Sequence, residues 1–225
     1  AFAADALSFL TDAALDAMAA DISRSKALPW PQPAAPGDTV WLGAVDREGN
    51  AVSFIQSIYW EFGSGVVLPE TGITWQNRGV SFGLDPKHVN GLEPFRRPFH
   101  TIQPALARLR DGRVMCYGTM GGEGQPQTQA MVFTRHVLYG QELQRAVTAP
   151  RWLLGRTWGA TATNLRMENR FDGDVVRKLV EAGHDVEVLG DFDEVMGHAG
   201  AVVFHPGGLM EGAADPRGNG IPAGF

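Results

Sequence analysis

The sequence predicts an α+β domain of antiparallel sheets with helices packed outside them. Three observations predict it. A β-hairpin pattern opens the main part of the chain at Thr39, and another hairpin closes it around His205-Pro206-Gly207-Gly208. Between them lie two helical patterns, close together, near 130–148. Strands grouped into hairpins, with helices set apart from them, are the mark of this class. No internal repeat and no low-complexity tract competes with that reading.

The elements follow in order. Leu7, Leu10, Ala14, Met18 and Ile22 recur close to a 3.6-residue period, which predicts a helix from residue 1 to about 28. Residues 28–38 then place four prolines in eleven positions. Such a segment neither continues a helix nor joins a sheet, so an extended linker is expected. Thr39 to Asp46 reads as a strand, Arg47 to Asn50 as a turn, and Ala51 to Ile58 as the returning strand. After a glycine-rich bend at Phe62-Gly63-Ser64-Gly65, residues 69–101 read as loop. Arg113 to Tyr117 is a strand that runs into Gly118-Thr119-Met120-Gly121-Gly122-Glu123-Gly124 and then into a helix. A second helix covers about 141–148 and stops before Pro150. Further strands are expected near 164–170, 185–189, 199–204 and 208–213, with a helix near 173–182 ended by Gly183.

Composition narrows the function classes. Net charge is −6, against the basic stripe that nucleic-acid binding requires. No apolar stretch approaches the roughly 20 residues of a membrane-spanning helix. The single cysteine, Cys116, excludes an internal disulfide framework and a cysteine-based metal knuckle. The six histidines form no HExxH or i, i+4 pair, so neither metal nor cofactor is expected. His184 and His205 read as surface turn residues, His136 as a partly exposed helix residue, and His198 as a structural histidine. The tryptophans are expected mostly in the core.

Several residues carry possible chemistry. Thr39 stands where a Pro-rich linker meets a strand. The ordinary reading is a β-branched residue opening that strand. The sharper one is a nucleophile that becomes an N-terminus when the linker is cut, with its own α-amine, of pKa about 7.7–8.0, as the base. The glycine cluster lacks the Lys-Ser/Thr of a phosphate loop, and Glu123 would repel phosphate. Its paired glycines can present backbone N–H groups to an oxyanion, and they also make a tight turn. Gln76-Asn77-Arg78 and Pro98-Phe99-His100-Thr101 are polar islands in loops, of the kind that line pockets. Asp215-Pro216-Arg217 reads as a turn held by its own ion pair.

Taken in order, Thr39 to Asp46, Gly49 to Ser53, Phe62 to Gly65, Gly118 to Gly122, Ala149-Pro150-Arg151 and Asp215-Pro216-Arg217 resemble the small subunit of the γ-glutamyltransferase family. The resemblance covers residues 39–225, and residues 1–38 resemble the tail of the large subunit of the same precursor. It implies an N-terminal-nucleophile hydrolase with an αββα sandwich and self-cleavage between Asp38 and Thr39. It gives Thr39 the role of nucleophile, Gly121 and Gly122 that of oxyanion donors, and Ser57 that of a second hydroxyl assisting Thr39. The family's grip on a γ-glutamyl group falls on Asn77, Arg78, Ser81, His100 and Thr101. There the sequence departs: Arg78 stands at an amide position, Ser81 at an acidic one, and His100-Thr101 replaces a serine pair. Arg78 and His100 favour an anion over an ammonium. That points to the oxamate amidohydrolase branch, supported by Trp41-Leu42, Phe54 to Tyr59 and Trp152 to Trp158.

The expected substrate is a small amide bearing a carboxylate. A γ-glutamyltransferase or glutathione hydrolase, and an unprocessed non-catalytic homologue, are the alternatives. The expected partner is the large subunit, with a higher oligomer of such heterodimers and no nucleic acid or membrane. A cytoplasmic location suits the oxamate branch, while ordinary relatives are often exported.

Overall fold

The computed structural model describes residues 11–20, 39–155, 157 and 162–225. The chain divides into two units, 1–36 and 37–225. In the first, helix α1 (Asp12–Ala20) falls within the expected helix, and Thr11 Oγ1 accepts the Ala14 N–H at its start. The remainder of that helix and the whole linker lie outside the described residues.

The second unit is built on two stacked antiparallel sheets. Strands β1 (Thr39–Val45) and β2 (Ala51–Ser57) form the opening hairpin. Its turn is tied by Asp46, whose carboxylate accepts from both the backbone and the side-chain amide of Asn50. The second sheet has four strands in the order β11-β10-β6-β5. These are β5 (Ala105–Arg108), β6 (Val114–Thr119), β10 (Ala199–Phe204) and β11 (Met210–Ala214). A small hairpin, β3 (Val67–Leu68) with β4 (Ile73–Thr74), interrupts the expected loop.

Alternation along the strands separates two cores. Met115, Ala199, Ala201, Val203 and Ala213 join Val132, Leu143 and Val147 of the helices in one buried cluster. Those helices are α2 (Gln125–Phe133) and α3 (Leu143–Thr148). Between them, Thr134–Leu138 forms one π-helical turn. His136 lies in that turn and is buried, contrary to the exposure expected of it. Its Nε2 faces Arg113 and its Nδ1 faces the Gln141 carbonyl.

The opposite face of the four-stranded sheet receives the β1–β2 hairpin, and here one side chain sets the fit. The Trp41 indole fills a trough floored by Gly118 and Gly200, which face each other across β6 and β10. A Cβ on Gly118 would stand 2.1 Å from Trp41 Cδ1, and one on Gly200 2.4 Å from Cζ3. Trp41 Nε1 donates to Ser53 Oγ at 3.0 Å, and Ser53 Oγ donates to the Tyr117 carbonyl at 3.3 Å. Among the other described tryptophans, Trp60 and Trp75 depart from the core placement expected of most, each being about half exposed.

A third sheet, β7-β8-β9, departs from the all-antiparallel expectation. Strand β7 (Trp152–Leu154) pairs antiparallel with β8 (Leu165–Glu168), but β8 pairs parallel with β9 (Val186–Leu189). A parallel pair needs a crossover. Helix α4 (Gly173–Glu181), capped by Asp172, provides it. Central β8 is buried along its whole length, including Arg166 and Glu168.

Candidate active site

Hairpin register makes the first contact of the site. With Val45 opposite Ala51, the ladder ends with Thr39 opposite Ser57. Both side chains lie on the inward face, and their hydroxyl oxygens are 2.8 Å apart. Either hydroxyl can donate in such a pair. Ser57 Oγ also accepts from the Tyr59 N–H at 3.0 Å and from Arg78 Nη2 at 3.3 Å. Those donors occupy both lone pairs of Ser57, so its own hydrogen points to Thr39 Oγ1. The oxygen of Thr39 then accepts, and its hydrogen is not spent on Ser57. Tyr59 reaches this geometry with φ of +82°, which is strained for a residue with a side chain.

Arg78 organises the neighbouring loop. It starts a short 3₁₀ turn, Arg78–Ser81, and is only 3% exposed. Nη1 donates to Thr101 Oγ1 at 2.7 Å, and the guanidinium lies 4.2 Å over the Tyr59 ring. The two polar islands of the sequence therefore meet at one buried cation. Thr101, 2% exposed, stands behind Arg78. Asn77 is committed to the loop: its Oδ1 accepts the Trp60 N–H, and its own N–H donates to the Ile58 carbonyl. Ser81 ends the 3₁₀ turn, half-buried and outside this chain of hydrogen bonds. His100 is exposed. Partial burial and the nearby Arg78 charge hold its pKa below the ordinary histidine range. At neutral pH it is an uncharged ring whose Nδ1 accepts the Ile102 N–H, which makes Nε2 the N–H donor.

Contacts between the two sheets run back along β1 in the direction of the glycine loop. The Gly49 turn packs on Phe204, Gly43 faces Cys116, and Trp41 covers Gly118. Each step of two residues back along β1 is a step of two forward along β6. Thr39 stands two residues before Trp41 at the start of β1, and Met120, Gly121 and Gly122 follow the end of β6. Gly121 adopts φ of +124°, and Gly197 packs against Met120 so closely that a Cβ there would lie 2.5 Å from the Met120 carbonyl. Only glycine meets both demands at Gly197, whose φ is +79°.

Beneath Gly197 lies a buried charge network. Arg151 Nη1 donates to the Met196 and Gly197 carbonyls, and its Nη2 pairs with Asp215 at 2.6 Å. Arg217 grips Glu168 through two 2.6 Å hydrogen bonds and also pairs with Asp215, as expected for that turn. Asp215 Oδ2 accepts the Ala199 N–H. Burial pushes the Arg151 guanidinium down to about 10. Burial alone would raise the Glu168 carboxyl, but hydrogen bonds from Arg217, the Arg151 N–H and Arg170 hold it below the usual range. The motifs around Arg151 and Arg217 thus meet in space, though sequence reasoning gave neither a role at the site. Among the described residues, no group of three or more His, Cys, Asp or Glu is arranged to hold a metal ion.

Comparison with known proteins agrees with this architecture. The gamma-glutamyltranspeptidase family profile matches residues 3–225. An oxamate amidohydrolase proenzyme of Klebsiella pneumoniae is 60% identical over 221 residues, covering 98% of this chain and 42% of the relative. A glutathione hydrolase-like proenzyme of Bacillus subtilis is 50% identical over 188 residues, covering 84% of this chain and 36% of the relative. The chain therefore spans about two-fifths of the length of these curated relatives. Among solved structures, a gamma-glutamyltranspeptidase from Pseudomonas nitroreducens complexed with L-DON superposes with a TM-score of 0.67 at 27% identity, over 82% of this chain and 98% of that one. A cephalosporin acylase from Bacillus halodurans gives a TM-score of 0.67 at 34% identity, over 96% of this chain and 38% of that one. The α+β fold of antiparallel sheets and outer helices is shared with them. The chain belongs to the gamma-glutamyltranspeptidase family.

Proposed function

We propose that this chain carries the nucleophile of an amide hydrolase that cuts itself between Asp38 and Thr39 and then hydrolyses a small carboxylate-bearing amide of the oxamate type. The observation that carries the reading is the Thr39–Ser57–Arg78 relay: two hydroxyls 2.8 Å apart, the second bonded to a buried guanidinium. In self-cleavage, Thr39 Oγ1 attacks the Asp38 carbonyl carbon. The peptide C–N bond breaks, the Thr39 nitrogen takes up a proton, and Asp38 is left as an ester on Oγ1. Water hydrolyses that ester. The products are a carboxylate on Asp38 and a free α-amine on Thr39.

The amine then serves as base. With a pKa near 7.7–8.0, it accepts the hydroxyl proton as Oγ1 attacks the substrate amide carbon. Backbone N–H groups of Gly121 and Gly122 receive the oxyanion. The C–N bond breaks, and the proton passes from the ammonium to the leaving nitrogen, which departs as ammonia. Water attacks the acyl ester on Oγ1, the amine again takes a proton, and the second carboxylate leaves. The Ser57 hydroxyl, aimed at Oγ1, stabilises the alkoxide character of Thr39 as ester bonds form and break.

The position of the cation supports this substrate class. Arg78 is two hydrogen bonds from Thr39 Oγ1. In oxamate the carboxylate is bonded directly to the amide carbon, so its anchor must sit beside the nucleophile. A γ-glutamyl α-carboxylate is three carbons further along. His100, neutral with an N–H at Nε2, can add a hydrogen bond rather than a second charge.

The relatives' proenzyme character supports a large subunit from the same precursor as the partner. So does the outer face of the hairpin. Val40, Leu42, Val52 and Phe54 are between 46% and 54% exposed there, where a solvated sheet face would carry polar residues. Asn77 and Thr101 act as supports of Arg78 and its loop rather than as substrate ligands, and Ser81 shapes the end of the turn.

The test is incubation of the matured protein with oxamate and, separately, with a chromogenic γ-glutamyl anilide. Ammonia from the first without dye from the second is the expected result. Dye alone assigns the protein to glutathione-type hydrolysis and refutes the substrate reading. An intact-mass measurement that finds one uncut chain after prolonged incubation refutes catalysis by Thr39 altogether.

A further inference from the structure

The peptide joining Gly121 to Gly122 is held from behind. The Gly121 carbonyl accepts the Gly124 N–H at 2.9 Å and the Thr157 hydroxyl at 2.7 Å. Two donors satisfy both of its lone pairs. In a trans peptide, the carbonyl and the following N–H point to opposite sides. Fixing the Gly121 carbonyl toward Thr157 therefore turns the Gly122 N–H away from Thr157. The N–H groups of Gly121 and Gly122 precede the first bonded N–H of the turn, that of Gly124, and are not used by it.

This restraint has a purpose that the two glycines create. Neither carries a Cβ, so the peptide between them can flip at little steric cost. A flipped peptide would present a carbonyl oxygen, not an N–H, to a developing negative charge. The Gly124 bond alone comes from within the same turn. Thr157 comes from outside it and is fully buried. Leu154, three residues before it, is fastened to α2 by both its N–H and its carbonyl. Gln127 Oε1 accepts the Leu154 N–H at 2.9 Å, and Gln127 Nε2 donates to the Leu154 carbonyl at 3.0 Å. Leu153 packs over Gly124, where a Cβ would lie 2.9 Å from its methyl group.

We infer that Thr157 is a positioning residue, holding the Gly121–Gly122 peptide in the orientation that offers an N–H to the acyl oxygen. The inference rests on the proposed oxyanion role of these glycines. It gives a task to a residue that touches neither substrate nor nucleophile.

The test compares Thr157→Ser with Thr157→Ala in the full, matured precursor. Both lose the methyl group, and they differ by one hydroxyl. Oxamate hydrolysis is measured as ammonia release, or anilide hydrolysis if that is what the wild type performs. Removing an oxyanion donor outright costs about 10²–10³ in kcat. Loosening one should cost less: the Ala variant is expected to lose about 10- to 100-fold in kcat with KM within about twofold, and the Ser variant to stay within about threefold of wild type. Equal kcat for Ser and Ala overturns the inference, because a packing role would affect both alike. An isosteric Thr157→Val that keeps full kcat overturns it as well. If the wild type hydrolyses neither amide, the oxyanion reading itself fails and this inference falls with it, an outcome distinct from an active enzyme indifferent to Thr157.

Discussion

Replacing Gly118 with alanine tests how the nucleophile is placed without touching it. The new methyl carbon would start 2.1 Å from Trp41 Cδ1 and 2.5 Å from Nε1. Carbon atoms in contact prefer about 3.5–4.0 Å, so the indole or the strand carrying it must retreat by more than about 1 Å. The rigid indole cannot yield by bending. Its other edge already faces Gly200, and its Nε1–H is held by Ser53. Overpacking of this kind costs about 1–3 kcal/mol, and loss of the Trp41–Ser53 hydrogen bond adds about 1 kcal/mol. Thr39 is two residues from Trp41 on the same strand face, so the retreat is passed to its hydroxyl. A displacement of about 1 Å at a reacting centre can cost about 100-fold in rate. The expected result for Gly118→Ala is a melting point lowered by several degrees, with self-cleavage slowed at least tenfold. Thermal unfolding and the time course of precursor loss by intact mass measure the two. A second change, Trp41→Leu, removes the clash and should recover part of the melting point in the double variant. Wild-type stability and wild-type cleavage in Gly118→Ala would refute the placement of β1 by the Trp41 trough.

Two further outcomes follow from the charges. Arg78→Gln should raise KM for oxamate at least tenfold; unchanged KM would remove Arg78 from substrate binding. Glu168, with its folded pKa held below the usual carboxylate range, contributes stability that is present above about pH 4.3, the ordinary glutamate value, and is lost as pH falls through its folded pKa. Denaturant midpoints should therefore fall steeply below about pH 4.3 in the wild type. Glu168→Gln should cost about 3–5 kcal/mol at neutral pH, because Arg217 and Arg170 lose a buried counter-charge, and should flatten that acid limb. An unchanged acid limb in this variant would place the acid sensitivity elsewhere.

Much of the fold was legible in the sequence through local pattern. The opening hairpin was among these elements, but its register was not: a turn at Arg47 to Asn50 would set Thr39 opposite Ile58, whereas the tie between Asp46 and Asn50 shifts the pairing by one and sets it opposite Ser57. The hairpin at His205 to Gly208 and the helices near 130–148 follow from the same kind of short-range signal. What remained hidden depends on long-range packing. Ala105–Arg108 is a strand whose short alternation follows Pro104, and only pairing with β6 makes it one. Gly118 and Gly200 look like ordinary strand glycines until Trp41 is laid across them. Arg78 reads equally well as a surface or a pocket residue, because its burial depends on Tyr59 and Thr101, 19 and 23 positions away in sequence. The parallel β8–β9 pair shows the same limit, since either direction of pairing suits two short strands separated by a helix. Thr157 was invisible for a further reason: its partner is a backbone carbonyl, which leaves no trace in residue type.

The N-terminal residue of the smaller fragment, read from purified full precursor after incubation at neutral pH, tests the central claim most directly. Intact mass and terminal sequencing should give two chains, with the smaller beginning at Thr39, and Thr39→Ala should remain a single chain. A precursor that stays whole, or one that is cut elsewhere and still hydrolyses its amide, would contradict the assignment of Thr39 as the nucleophile.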